Sequence, residues 1–200
     1  AAAAPCQGAA VSPRQGLDRG ALLSAAAQLA DSDGFHALTL AALAQRLDVR
    51  SPSLYNHISG LPGLRQELAL MSVQQLSRTL TAAAADRSGD EAIQAVATAY
   101  IGFVREHPGL YEASFHAPDR EEPQLAEAST AALEVLLHIL QPYPLTEAEA
   151  LHAVRGLRSL CHGFASMGAQ GGFGMDFDPD ESLRLTIAAF LKGLHHLHQA

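Results

Sequence analysis

The 200 residues suffice for one large domain or two small ones, and 48% hydrophobic with 17% charged content excludes a disordered chain. The formal charge of −8 would argue against nucleic acid if it were spread evenly, but Arg14, Arg19, Arg46 and Arg50 balance Asp18, Asp31, Asp33 and Asp48 in residues 1–60, so all of the excess acidity lies in residues 61–200. Two distant cysteines, Cys6 and Cys161, exclude a disulfide framework, and no apolar run approaches the ~20 residues of a membrane span. Ala and Leu dominate, Trp is absent and nearly every break between apolar-periodic runs is Gly or Pro, so the expected class is all-α.

Residues 1–16 have no periodicity and read as a disordered N-terminal arm, without the charged start and apolar middle of a signal peptide, so the expected compartment is cytoplasmic. Arg14 and Arg19 are positioned to touch a polyanion or to remain solvated. From Leu17, the positions Leu22, Ala26 and Leu29 predict a first helix ending between Asp31 and Gly34, with Phe35 and Leu38 as core plugs. Thr39 reads as the N-cap of a second helix with Leu40, Leu43 and Leu47 on one face. After Asp48, Val49 and Arg50, Ser51 reads as a cap and Pro52 as the first residue of a third helix, the spacing of a helix-turn-helix. Leu54 and Ile58 can pack inward, which leaves Arg50, Ser51, Ser53, Tyr55, Asn56 and His57 facing largely outward. Hydroxyls, an amide, an imidazole and a guanidinium suit phosphates and base edges better than they suit an ordinary solvent face.

Ser59 and Gly60 stop that helix, and Pro62 permits a long one through Leu64, Leu68 and Met71 toward Ala85. Asp90 reads as the cap of the next, with Ile93, Val96, Tyr100, Phe103 and His107 on its face, ended by Pro108 and Gly109. A short segment, LYEASF, and a polar loop follow. Further helices are expected over Pro123 to Leu140, over Thr146 to Met167 behind a T-x-x-E capping box, and from Pro179 to Leu197 behind Asp178, about nine in all.

The run LTLAALAQRLDVRSPSLYNHISGLPGLRQEL resembles the DNA-binding signature of TetR-family transcriptional regulators, and the match spans roughly Leu17 to Leu70. YIGFVREHPGLYEASF and LRSLCHGFASM resemble the C-terminal domain of a TetR subgroup named for a Trp-His-Gly motif, here with His162 and Gly163 but no Trp. A second departure is Leu61, where the family often has a phosphate-gripping Lys. The resemblance implies a helix-turn-helix DNA-binding domain over 17–60 and a larger helical-bundle domain over 61–200 that binds ligand and dimerises. It implies a repressor that meets palindromic operator DNA as a homodimer through the last two long helices and is released by a small-molecule effector. Thr39, Arg50, Ser51 and Tyr55 are then expected to position phosphates, and Ser53, Asn56 and His57 to approach bases. Tyr100, Phe103, His107, Phe115, His138, Phe164 and Met167 fall on helices that, by resemblance, surround a cavity for a mostly apolar effector. The alternative is a helical small-molecule binding protein without sequence-specific DNA binding.

His195, His196 and His198 have no Cys or carboxylate at metal-site spacing and read as a helix end, so no metal and no cofactor is assigned. GGFG at Gly171–Gly174 follows no strand and is a loop rather than a phosphate cradle. G-x-S-x-G, H-E-x-x-H and G-x-x-x-x-G-K-[ST] are absent, so nothing supports an enzyme.

Overall fold

The structure, a computed structural model, describes residues 17–197. The arm expected over 1–16, with Arg14 and Cys6, lies outside those residues, as does His198. Among the described residues there are nine α-helices, one short 3-10 turn and no strand. None of these helices is long and apolar enough to cross a membrane.

Local signals account for the first three helices. Asp18 caps α1 (Arg19–Asp33) by accepting from the Ala21 N–H at 2.7 Å, and Gly34, at φ +94°, ends it in a conformation that costs a Cβ-bearing residue. The 3-10 turn Phe35–Ala37 buries Phe35, and Thr39 caps α2 (Leu40–Arg46) through the Ala42 N–H at 3.1 Å. Asp48, at φ +52°, turns the chain into α3, which spans only Ser51–Leu54. Its N-cap is Arg50 and not the expected Ser51, with no side-chain cap bond. Tyr55 to Ser59 continue as turns, the His57 and Ile58 N–H groups both bonding the Leu54 carbonyl. Leu22, Phe35, Leu38, Leu43, Leu54 and Ile58 are buried together, so the unit folds around the apolar positions that periodicity singles out.

The long helix α4 (Gly60–Ala84) runs about 37 Å at 1.5 Å per residue and joins that unit to the rest. It packs against α5 (Gly89–Glu106), α6 (Pro108–Ala113) and α7 (Pro123–Leu140). The last two helices are α8 (Glu147–Ala169), opened by the Thr146–Glu149 capping box, and α9 (Pro179–His196), capped by Asp178. The buried residues form one continuous core from α1 to α9.

One further expected boundary is corrected. Asp90 does not cap α5, which starts at Gly89 behind Ser88. Its carboxylate instead accepts from the Tyr143 hydroxyl and meets His195 Nε2 at 3.0 Å, tying α5 to the α7–α8 loop and to α9. Pro108 ends α5 as expected, because it bars its predecessor, His107, from helical backbone, and it also opens α6, where a first turn leaves the N–H that Pro lacks unpaired.

Helix α6 is pinned to α1. The Asp31 carboxylate at the end of α1 accepts from the Leu110 N–H at 2.8 Å and meets His107 Nδ1 at 3.1 Å. Gly109 permits the approach, since a Cβ there would lie 2.0 Å from the Ala30 carbonyl oxygen.

Candidate nucleic-acid interface and internal cavity

Burial of Leu54 and Ile58 orients the third helix and its following turn, and the remaining side chains face out. Arg50, Tyr55 and Asn56 are exposed, Tyr55 at 61%, while Ser51, Ser53 and His57 are half-buried. Among the described residues none of these six side chains has an intramolecular hydrogen-bond or ion-pair partner. Thr39 is exposed beside them, with its hydroxyl oxygen accepting the α2 cap bond and its proton available. The seven expected interface residues therefore sit on two successive helix starts and the turn beyond. Unpaired donors exposed on one side of this unit, with their apolar neighbours turned inward, form a surface able to meet an external hydrogen-bonding partner.

The other arginines near this face have partners. Arg19 bonds Glu67 through Nε at 2.9 Å, which raises the guanidinium pKa further, and Arg46 reaches Gln28 at 3.3 Å. Leu61 packs against the core at the head of α4, so the place where a Lys is common offers no cation. Arg50 has no side-chain partner among the described residues, and Arg46, bonded only to a neutral amide, also keeps its charge.

The larger bundle encloses a cavity of about 200 Å³ between α4, α5, α6, α7 and α8. Tyr100 and Phe115 line it as expected, joined by Tyr111, Ser72 and Arg158, which sequence reasoning missed. Tyr100 Oη and Tyr111 Oη lie 2.7 Å apart, and Tyr111 Oη is 2.8 Å from His162 Nδ1. Burial pushes both phenols above their ordinary range, so they stay neutral hydroxyls able to donate as well as accept. Ser72 Oγ is buried without a hydrogen-bond partner among the described residues. An apolar chamber thus carries a short polar chain on one wall and a lone hydroxyl on another.

The remaining expected cavity residues lie elsewhere. Phe103 and His107 line a groove between α4 and α5, Phe164 lines a separate one with Phe173, and His138 and Met167 are exposed on α7 and α8. Helical spacing cannot tell which of two adjacent faces closes a chamber. Tyr111 was legible only as part of LYEASF, a segment too short for periodicity to orient.

Residues 22–59 match the family described as bacterial regulatory proteins, tetR family, and residues 93–190 match the tetracyclin repressor-like C-terminal domain. The chain is 40% identical over 184 residues to an uncharacterized HTH-type transcriptional regulator, YobS, of Bacillus subtilis (strain 168), covering 92% of this chain and 96% of that one. A solved protein of unknown function from Rhodococcus sp. RHA1 superposes with a TM-score of 0.79 at 23% identity, covering 92% of this chain and all of that one, 100%. A TetR variant from Acinetobacter baumannii AYE, solved in complex with minocycline, superposes with a TM-score of 0.67 at 21% identity over 90% of this chain and 98% of that one.

Proposed function

The chain belongs to the TetR family of bacterial transcriptional regulators, and from that premise we propose that it is a cytoplasmic homodimeric repressor that a small effector releases from a palindromic operator. The observation that carries this reading is the unpaired polar face formed by Arg50, Ser51, Ser53, Tyr55, Asn56 and His57. Thr39, Arg50, Ser51 and Tyr55 position phosphates, while Ser53, Asn56 and His57 approach base edges. With Arg50 and Arg46 as its cations without a carboxylate partner, each subunit makes few phosphate contacts, and two subunits together supply specific affinity. Their recognition units must then lie about 34–36 Å apart, one helical turn of DNA.

Dimerisation falls to α8 and α9. Leu151 and Met167 on α8 and Leu185 on α9 are exposed apolar side chains that such an interface would cover. The effector occupies the chamber around Tyr100, Tyr111 and Phe115 and offers a polar atom to Ser72 or to the Tyr111 hydroxyl. By filling it the effector displaces α4 and α6, which carry the recognition units with them. A coupling of about 1–3 kcal/mol lowers operator affinity roughly 5- to 150-fold. The protein acts by binding and performs no catalytic step.

Selection of bound sequences from a random duplex DNA pool by the purified dimer tests this reading. An enriched inverted repeat is expected. A confirmed dimer that enriches no sequence at low salt overturns it in favour of a helical small-molecule binding protein.

A further inference from the structure

His36 in the 3-10 turn, Glu112 on α6 and His116 just beyond it bring their ligand atoms within 4.8 Å of one another. His36 Nε2 is 3.1 Å and His116 Nε2 3.8 Å from the same carboxylate oxygen, Glu112 Oε1. We propose that these three residues bind a divalent first-row transition metal of the Zn²⁺ class, and that the ion links the helix-turn-helix unit to α6.

The donor set and its spacing carry the assignment. Bond lengths of 2.0–2.2 Å at tetrahedral angles place neighbouring ligand atoms about 3.3–3.5 Å apart, so two of the three edges are near the required size already. Two imidazoles and one carboxylate, with a coordination position left to water, suit Zn²⁺ and its neighbours and not the hard oxygen-seeking Mg²⁺ or Ca²⁺.

The rings are also held in place. Phe35, almost fully buried, stacks on His116 with centroids 5.5 Å apart and an interplanar angle of 17°, and meets His36 edge-on at 5.7 Å. The His36 and His116 rings lie 5.2 Å apart. A core residue of the helix-turn-helix unit thus forms the floor against which both imidazoles rest, restricting their rotation before an ion arrives. Glu112 and His116 are four apart in sequence, whereas His36 joins them only through the packing of α6 on α1.

The position gives the ion a consequence. Glu112 adjoins Tyr111, which lines the cavity, so one short helix contacts the chamber on one side and the ion on the other. A bound metal clamps α6 to the unit that carries α2 and α3 and stabilises whichever relative placement of the two it was bound in. This coupling, though not the site itself, rests on the regulator reading above.

The full-length protein, stripped of metal, is titrated with Zn²⁺ by calorimetry and with Co²⁺ by visible absorption. One ion per protomer is expected, with the intense Co²⁺ bands of a low-coordinate site. His36→Ala and Glu112→Gln should each weaken binding by more than the 10–100-fold that loss of an outer-shell partner costs. All three ligands are at least part exposed, so these variants keep the parental circular dichroism and melting temperature. The double variant His195→Ala with His196→Ala should bind as the parent does. No stoichiometric binding by the parent, or undiminished binding by the His36 and Glu112 variants, overturns the site. With the selected operator as probe, Zn²⁺ should change the affinity of the parent and leave that of His36→Ala unaltered. Metal binding with unchanged operator affinity overturns the coupling alone, whereas loss of all sequence preference counts against the regulator reading and leaves the metal titration to decide the site.

Discussion

Replacing Gly109 by Ala tests the seam between α6 and α1. The new Cβ would stand 2.0 Å from the Ala30 carbonyl oxygen, against an ordinary carbon–oxygen approach of about 3.3 Å, so α6 must retreat by roughly 1.3 Å. That retreat takes the Leu110 N–H, now 2.8 Å from Asp31 Oδ1, out of bonding range and loosens the His107 contact at 3.1 Å. Hydrogen bonds to a charged group are worth about 1.5–3 kcal/mol and overpacking costs about 1–3, partly offset by the ~0.5–1 kcal/mol gained when Ala replaces a helical Gly. The net expectation is a loss of about 2–4 kcal/mol, or about 4–16 °C in Tm for a chain of this size. Gly102→Ala is the control, since a Cβ on that α5 glycine meets nothing within 4 Å, and it should raise stability by about 0.5–1 kcal/mol. Thermal unfolding followed by circular dichroism at one fixed protomer concentration makes the comparison. A Gly109→Ala protein that melts within about 2 °C of the parent refutes the argument that this contact holds the two units in register.

Tyr55→Ala should weaken operator binding severalfold while leaving melting and dimerisation unchanged, because the ring is 61% exposed; unchanged affinity in a band-shift titration removes Tyr55 from the reading surface. Arg50→Ala should reduce the slope of log affinity against log salt by about 0.9 for each phosphate the guanidinium neutralises, or about 1.8 for a dimer, and an unaltered slope means Arg50 touches no phosphate. Cys161 gives a pH prediction. Burial lifts its thiol from 9.0 to about 12, so between these values the unfolded chain ionises while the folded one does not. Folding stability therefore falls by up to about 1.4 kcal/mol per pH unit across that window and levels off above it. Tyr100 and Tyr111 act in the same direction at higher pH, so the informative quantity is the difference between the parent and Cys161→Ala in urea midpoint at about pH 8 and about pH 11. The variant should lose less stability over that interval, and parallel losses would mean Cys161 ionises alike in both states.

What could be read from the chain alone depended on signals that act within one helical turn. Caps such as Thr39, Asp178 and the Thr146–Glu149 pair, and apolar spacings such as Leu54 with Ile58, express backbone and burial preferences that hold wherever the segment ends up. They specified an all-helical chain, most of its boundaries and an outward polar face on the third helix. The tertiary structure decided wherever a side chain had a choice of distant partner. Asp90 was an available cap, yet Tyr143 and His195 compete for its carboxylate once α5, α8 and α9 pack. Arg19 was free to meet a polyanion, yet Glu67 lies beside it on α4. The chamber is shared by five helices, so whether Tyr100 or Phe103, one turn apart on α5, faces it depends on how those helices rotate against one another. His36 meets Glu112 and His116 for the same reason: residues some 76 apart in sequence become neighbours because Gly109 lets α6 lie directly on α1.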